Sequence, residues 1–295
     1  MKKLTIVIVN YNSADYLEKC LNAVFKETRQ ADYQVVVVDN ASDDVSPAGL
    51  QSVFPWVDFL FNLTNVGFSR ACNQAIRHCP AEFYLLLNPD VLLLDSAIDK
   101  TLRFLSSMPE AGIVGCRVKN PDGSLQLASR RSIPRPATAL YRFLRLSFLF
   151  PGSPRLAGYN MTYLDENRDQ EVEAVSGSFL MFRNDLLRDV GPLDEHFFLY
   201  GEDLDFCYRA GLKGWRIYYF SGAEVIHYKS CSSNRDPGAS TFHYYNAMKI
   251  FYRKHYSSQA NAIQNGLVLG GIHVLYLSKR FRQRFLGKIK VASEV

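Results

Sequence analysis

The sequence predicts an α/β fold with a mostly parallel central sheet flanked by helices. Three observations predict it. Uninterrupted apolar runs such as Val35 to Val38 and Tyr84 to Leu87 suit strands buried on both faces. These runs alternate with amphipathic stretches in a βαβ rhythm. Each run also ends in polar, turn-forming residues, at the edge where such sheets gather ligands.

The elements follow in order. Leu4 to Val9 is a first strand: it follows a basic Met1-Lys2-Lys3 start, but it stops at Asn10-Tyr11-Asn12 and is too short for a signal peptide. Ala14 to Phe25 has helical periodicity, and Gln34 to Val38 is a second strand that ends in a turn. Val57 to Phe61 leads to a helix over Phe68 to His78, and Phe83 to Leu87 to a helix over Ser96 to Ser107. From Ser129 to Gly158 the rhythm breaks into Arg130-Arg131, Pro134, Pro136, Pro151, Gly152 and Pro154 around an aromatic, basic piece, Tyr141 to Phe150. A long excursion of this kind suits a mobile lid or an acceptor surface. Order returns over Glu171 to Arg183, and Trp215 and Tyr218-Tyr219-Phe220 read as core.

The 295 residues suffice for a sizeable core in one large domain or two small ones. The charge is uneven. From Thr241 onward nine Lys or Arg face one acid, Glu294, so that segment carries +8 of a net +5 and the first 240 residues sum to −3. We therefore divide the chain into a body over 1–240 and a basic helical extension over 241–295. In the extension Lys279, Arg280, Arg282, Arg284, Lys288 and Lys290 follow the apolar stretch Gly266 to Leu277 and interleave with Phe281, Phe285 and Ile289. That pattern suits an anionic membrane surface, and equally a solvated basic helix whose apolar face packs on the body. The stretch is too short to span a bilayer. Cys20, Cys72, Cys79, Cys116, Cys207 and Cys231 form no CxxC pair, which fits reduced, mostly buried thiols in a cytoplasmic protein and no cysteine metal site.

The polar residues after the strands are Asn10-Tyr11-Asn12, Asp39-Asn40-Ala41-Ser42-Asp43-Asp44, Asn65-Val66-Gly67 and Asn88-Pro89-Asp90. Any one could be a mere turn; four at successive strand ends make a site. Neither GxGxxG nor GxxxxGK[ST] occurs, which argues against dinucleotide oxidoreductases and P-loop kinases. Asp90 can instead give one oxygen to a divalent cation that clamps a diphosphate, with His227 a second ligand; such a mixed set suits Mn2+ as well as Mg2+. Further on, Phe197-Phe198-Leu199-Tyr200-Gly201-Glu202-Asp203-Leu204-Asp205 puts three acids within four residues behind an aromatic run. Desolvation and mutual repulsion there would raise a carboxylate pKa and make a proton acceptor. Taken alone, the same residues read as an acid-rich helix start.

In this order Asn10-Tyr11-Asn12, Val38-Asp39-Asn40-Ala41-Ser42-Asp43, Asn65-Val66-Gly67-Phe68-Ser69, Asn88-Pro89-Asp90, Ser176-Gly177-Ser178-Phe179, Leu193-Asp194-Glu195-His196-Phe197-Phe198, Gly201-Glu202-Asp203-Leu204-Asp205 and His227 resemble family 2 of the inverting glycosyltransferases. The similarity is strongest to bacterial rhamnosyltransferases of O-antigen synthesis and covers roughly residues 3 to 256. The resemblance implies a GT-A-like (Rossmann-like) fold. It implies Asp203 as general base, with Glu202 orienting it or binding an acceptor hydroxyl. Asp90 would be the last aspartate of a metal-carrying DxD motif, with His227 completing the shell around Mg2+ or Mn2+. Asp39 would bond the nucleotide base, with Asn10, Asn12, Asn65, Arg70 and Asn88 around the nucleotide and Asn73 beside Arg70. Asn88 departs from the pattern, since an amide replaces the first aspartate and removes one negative charge.

The implied reaction is transfer of a sugar, rhamnose from dTDP-rhamnose, to a saccharide acceptor on a lipid diphosphate at the inner face of the cell membrane, with no nucleic-acid partner. Alternatives are the same chemistry with a UDP-hexose or galactofuranose donor, and a binding or scaffold protein that has lost catalysis, for which Asn88 argues. A processive synthase would need membrane spans and a QxxRW motif; a nucleotidyltransferase would need a glycine- and arginine-rich loop where Asn10-Tyr11-Asn12 stands.

Overall fold

Consecutive residues of strand β1 (Lys2–Asn10) face opposite ways, Leu4, Ile6 and Ile8 into one apolar core and Val7 and Val9 into another. Such a run is stable only where both faces of a sheet are covered. The computed structural model describes residues 2–44, 47–135, 138, 141, 146–228 and 236–292, the side chains of 47–48 and 285–292 excepted. Cys231, Pro136 and part of the Tyr141 to Phe150 piece lie outside the described residues.

After β1 come α1 (Ala14–Glu27), β2 (Tyr33–Asp39), α2 (Pro47–Val53), β3 (Val57–Phe61), α3 (Phe68–His78), β4 (Ala81–Leu87), β5 (Val91–Leu93), α4 (Ala97–Ser107) and β6 (Ala111–Lys119). The helix α2 is an addition to the turn expected there, begun by Pro47 at its first position. The excursion contributes β7 (Arg130–Arg131) and α5 (Leu146–Leu149), followed by β8 (Gln170–Val172), β9 (Ala174–Val175), β10 (Phe179–Arg183) and α6 (Asn184–Val190). The chain continues through α7 (Glu202–Leu212), β11 (Arg216–His227), α8 (Pro237–His255) and α9 (Ala262–Ala292).

The main sheet runs β3-β2-β1-β4-β10-β6-β11-β5, with β8 also on β11; β7 and β9 form a separate pair. Strands β1, β2, β3, β4, β6 and β11 point one way, and β5, β8 and β10 the other. The sheet is thus mostly parallel, as the apolar runs predicted. One core holds α1 and α4 through Leu17, Leu21, Val24, Ile98, Leu102 and Leu105. The other holds α3, α7 and α8 through Ala71, Ala75, Phe206, Ala210 and Phe251. The five described cysteines are free thiols, four of them buried.

Asp205 joins the helices that frame the site. It is fully buried; Oδ1 lies 2.7 Å from His255 Nε2 and 2.8 Å from Lys254 Nζ, and Oδ2 accepts from Arg209 Nε at 2.8 Å. Burial pushes its carboxyl up, but hydrogen bonds from His255 and Lys254 outweigh that and hold it below the usual range. A lowered acid stabilises the fold above its unfolded value and loses that contribution as pH falls through the lower folded one. Asp205→Ala should therefore lower the unfolding free energy at pH 7 by about 3 kcal/mol, because cations lose a buried partner. Urea denaturation checks this, and the gap to wild type should narrow below pH 4. Equal midpoints at pH 7 would mean that the contact does not lock α7 to α8.

Candidate active site

Two motifs far apart in sequence meet at the start of α3. Asn65 Oδ1 accepts from Gly67 N at 3.0 Å, turning the chain into a left-handed Gly67 (φ +86°). A Cβ there would stand 2.7 Å from Phe198 O, so only glycine lets the segments approach. Phe68 N donates to Phe198 O and Ser69 Oγ to Phe197 O, both at 2.7 Å. Asn73 exchanges hydrogen bonds with the Leu193 backbone, and Arg70 Nε donates to Glu195 Oε2 at 2.9 Å. Arg70 and Asn73 thus anchor the 193–198 segment that leads to the acids.

A second polar network ties the loops after β1 and β2. Asn10 Nδ2 donates to Asp39 Oδ1 at 2.8 Å and Ser42 N to Asp39 Oδ2 at 2.9 Å, which occupies both carboxylate oxygens. Asn12 N donates to Ser42 Oγ, and Asp43 N to Asn12 Oδ1. Between these loops Tyr11, Ser13 and Asn40 line the cavity described below.

The three acids of the 202–205 cluster have separate fates. Tyr200 (φ +68°) and Gly201 (φ +86°) both take the left-handed conformation before α7, a strained entry that swings the cluster into place. Asp203 Oδ2 accepts from Arg131 Nη2 at 2.5 Å and from Gly177 N at 3.0 Å, and Oδ1 accepts from Leu204 N at 2.7 Å. Gly177 is close enough that a Cβ would sit 3.3 Å from Asp203 Cβ. Glu202 is buried with Oε2 lacking a hydrogen-bond partner, and burial, then the Asp203 charge, push it up to about 8. Repulsion was expected to make an acceptor by raising a pKa; the acid raised is Glu202, while Asp203 has a guanidinium beside it. Asp205 belongs to the α7–α8 junction. The helix-start reading of the segment holds as well, with Gly201 as N-cap.

Strand pairing brings the second acid site together. His227 ends β11 opposite Val91 of β5, which sets it beside Asp90: Tyr228 N donates to Asp90 O at 3.0 Å, and His227 Nε2 lies 3.1 Å from Asp90 Oδ1. Gln126 Nε2 donates to His227 O at 2.8 Å and to Lys119 O at 3.3 Å, so its Oε1 is the atom 3.1 Å from His227 Nδ1. Nδ1 must then carry a hydrogen, so that in the neutral ring Nε2 is the bare nitrogen toward the Asp90 carboxylate. Two lone-pair donors face each other there, an arrangement that a shared cation satisfies. Asn88 Nδ2 is 3.4 Å from the same Nε2.

One cavity of about 1400 Å³ connects these groups. Asn65, Asn88, Asp90, Glu202, Asp203 and His227 line it; Asn10, Asn12, Asp39 and Arg70 do not, although Tyr11, Asn40 and Phe68 beside them do. Another part of its wall comes from Tyr245 and Met248 of α8 and Val268, Ile272 and Leu275 of α9. Gln126 lines the cavity without any sequence signal, while Gly177, quoted in a motif of the resemblance, and Arg131, in the excursion, line it without having been given a role. A second cluster, Asp58, His78 and Cys79, with donor atoms within 4.8 Å of one another, lies at the start of β3 and the end of α3, apart from the cavity.

The sequence profile described as "Glycosyl transferase family 2" matches residues 5–191. The chain belongs to that family. A profile of glycosyl transferase family group 2 also matches residues 155–266. This family 2 glycosyltransferase is 29% identical over 265 residues to an N-acetylglucosaminyl-diphospho-decaprenol L-rhamnosyltransferase of Mycobacterium tuberculosis, covering 86% of this chain and 85% of that one. It is 27% identical over 234 residues to the rhamnosyltransferase WbbL of Escherichia coli, covering 76% and 82%. Among solved structures, the mannosyltransferase PcManGT of Pyrobaculum calidifontis, in complex with GDP-Man and Mn2+, aligns with TM-score 0.58 and 16% identity over 93% of this chain and 70% of its own. TarS of S. aureus aligns with TM-score 0.53 and 17% identity over 90% and 69%. These alignments agree with the GT-A-like fold that the motifs implied.

Members of this fold commonly work with a divalent metal, and the residues fit one. Asp90 and His227 offer an oxygen and a bare imidazole nitrogen, suited to Mn2+ or Mg2+, while Asn88 leaves the pair a single full charge. Two outcomes follow from the geometry. Gln126→Leu should weaken Mn2+-dependent binding of a nucleoside diphosphate roughly tenfold to a hundredfold in calorimetry, with no change once the metal is chelated; unaltered binding in Mn2+ would mean that Gln126 does not set the imidazole. For Glu202, the folded state binds more protons than the unfolded state between its usual value of 4.5 and about 8. Wild-type stability contributed by this group therefore falls with rising pH across that window. Denaturation of Glu202→Gln at pH 5 and pH 8 should show a smaller difference between the two than wild type does; an identical difference would place the titration elsewhere.

Proposed function

We propose that the chain is an inverting rhamnosyltransferase that moves rhamnose from dTDP-rhamnose to a saccharide carried on a lipid diphosphate. The observation that carries this reading is that the Asp203–Arg131 and Asp90–His227 pairs line the same cavity. Asp203 accepts the proton of the acceptor hydroxyl as its oxygen attacks the anomeric carbon opposite the leaving group, so configuration inverts in one displacement. Arg131 and the Gly177 amide hold the carboxylate aimed. Glu202, neutral beside it, donates a hydrogen bond to an acceptor hydroxyl. No protein nucleophile is needed: Ser176 and Ser178 pair with each other at 2.9 Å.

The nucleotide sits against Tyr11, Asn40, Asn65 and Phe68, on loops braced by Asn10, Asn12 and Asp39. Arg70 acts on that pocket from outside by anchoring the 193–198 segment. A bound Mg2+ or Mn2+, held by Asp90 and His227 with Asn88 alongside, would offset the charge developing on the diphosphate. Support for the donor comes from the rhamnosyl names of relatives at 29% and 27% identity, and support for the acceptor from the first of these names. This reading puts the enzyme on the cytoplasmic face, peripheral to the membrane.

Incubation with dTDP-rhamnose, UDP-hexoses and UDP-galactofuranose, Mn2+ or Mg2+ and a short-chain N-acetylglucosaminyl diphosphate lipid tests it. Nucleotide should be released with dTDP-rhamnose, and NMR of the product should show the inverted anomer. Release only with another sugar would replace the donor, and a retained anomer would sink the mechanism. Asp203→Asn should lower transfer on the order of 10²- to 10⁴-fold while nucleotide affinity changes little. Transfer within threefold of wild type would remove Asp203 from the reaction. Binding of nucleotide sugars without turnover by the wild-type protein would favour a binding protein instead.

A further inference from the structure

The last helix has two unlike faces. Inward, Ile272 is buried, Val268 and Leu275 line the cavity, Tyr252 OH donates to Asn265 Oδ1 and Gln283 Nε2 to Thr241 Oγ1, each at 2.9 Å. These contacts dock α9 on α8. Outward, Ile263, Leu267, Val274 and Leu277 are 75%, 72%, 61% and 51% exposed. Their spacing of four, seven and three residues is that of a single face of a 3.6-residue helix, with Gly270 filling the middle position. Arg282 and Arg284 are exposed in the turn that follows. The sequence left open whether this helix packs on the body or offers an apolar face; it packs with one face and leaves the other bare.

We propose that α9 lies flat in the interface of an anionic lipid bilayer, its outer stripe at the acyl boundary and its arginines among the head groups. The occupant follows from charge. Helix α9 carries six cations and no acid, which attracts an anionic surface and repels a second copy of the same helix across a two-fold axis. No described helix is long and apolar enough to cross a membrane, and a stripe with flanking cations is the pattern of a helix that lies on one. Because the opposite side of α9 lines the cavity, a lipid-diphosphate acceptor would reach Asp203 without leaving the surface. That consequence rests on the function proposed above.

Flotation of the full-length protein with phosphatidylcholine vesicles, with and without phosphatidylglycerol, tests the surface. Wild type should float with the anionic vesicles and only weakly with the neutral ones. Arg282→Gln with Arg284→Gln should lose the salt-sensitive part of binding, about fivefold per arginine. Leu267→Gln with Val274→Gln should lose the part that survives high salt, roughly tenfold or more. None of the four side chains lines the cavity, so each variant should retain nucleotide binding and transfer to a short soluble acceptor. Equal flotation of the stripe variant and wild type would overturn the proposal, as would wild type that does not float. A stripe variant that only converts a dimer to a monomer in size-exclusion chromatography would assign the face to a second copy instead. Failure of soluble transfer by wild type would count against the catalytic reading alone and leave the flotation result standing.

Discussion

The ion pair between Arg131 and Asp203 is the contact on which the site depends. Both side chains are nearly buried, 11% and 13% exposed, so neither can change partner for water at little cost. Arg131 sits on a two-residue strand paired with β9, where Arg131 Nη2 also donates to Val175 O at 2.9 Å. Two residues beyond Val175 the Gly177 amide reaches the same carboxylate oxygen. The excursion after β6, the turn before β10 and the start of α7 are therefore fixed to one another through a single oxygen. Any acceptor that reaches Asp203 meets it already oriented.

That placement also explains the neighbouring acid. Arg131 pairs with Asp203 and offsets the Glu202 charge only in part, so burial and the Asp203 charge win and a proton is the available way to remove the charge of Glu202. Asp205, one turn into the helix, takes two cations, Arg209 and Lys254, and the imidazole of His255 as partners instead. Each carboxylate of one short segment is thus handled by a different device: an ion pair, a proton and a buried cation cluster. The last of these makes α8 part of the cavity frame.

The Asp90–His227 side of the cavity is arranged by backbone pairing. The antiparallel register of β5 on β11 sets His227 against Val91 and so beside Asp90, and the Gln126 amide, held by two backbone carbonyls, fixes which imidazole nitrogen is bare. With an amide at Asn88, a cation bound there would meet a single carboxylate, so the orientation of the donors would matter correspondingly more. Opposite, α9 closes the cavity with aliphatic side chains, so charged chemistry and an apolar wall share one space.

Strand and helix identity was legible because apolar runs buried on both faces leave a continuous signal, as in Val35 to Val38, and turn chemistry marks their ends. The Asn65, Asn88, Asp90 and Glu202-Asp203 positions were legible for the same reason, since they follow strands or open a helix in a recognisable order. The antiparallel insertion of β10 between β4 and β6 was not, because a buried strand looks alike in either direction. Nor was the scaffolding role of Arg70, whose partner Glu195 is 125 residues away. By itself the sequence determined the layers, the family and the strand-end acids, all of which are local patterns. Only the tertiary structure decided that Arg131 and Gln126 stand at the cavity, that Glu202 is the acid whose pKa is raised and that α9 keeps one face bare, because each depends on which distant groups exclude water from the same place.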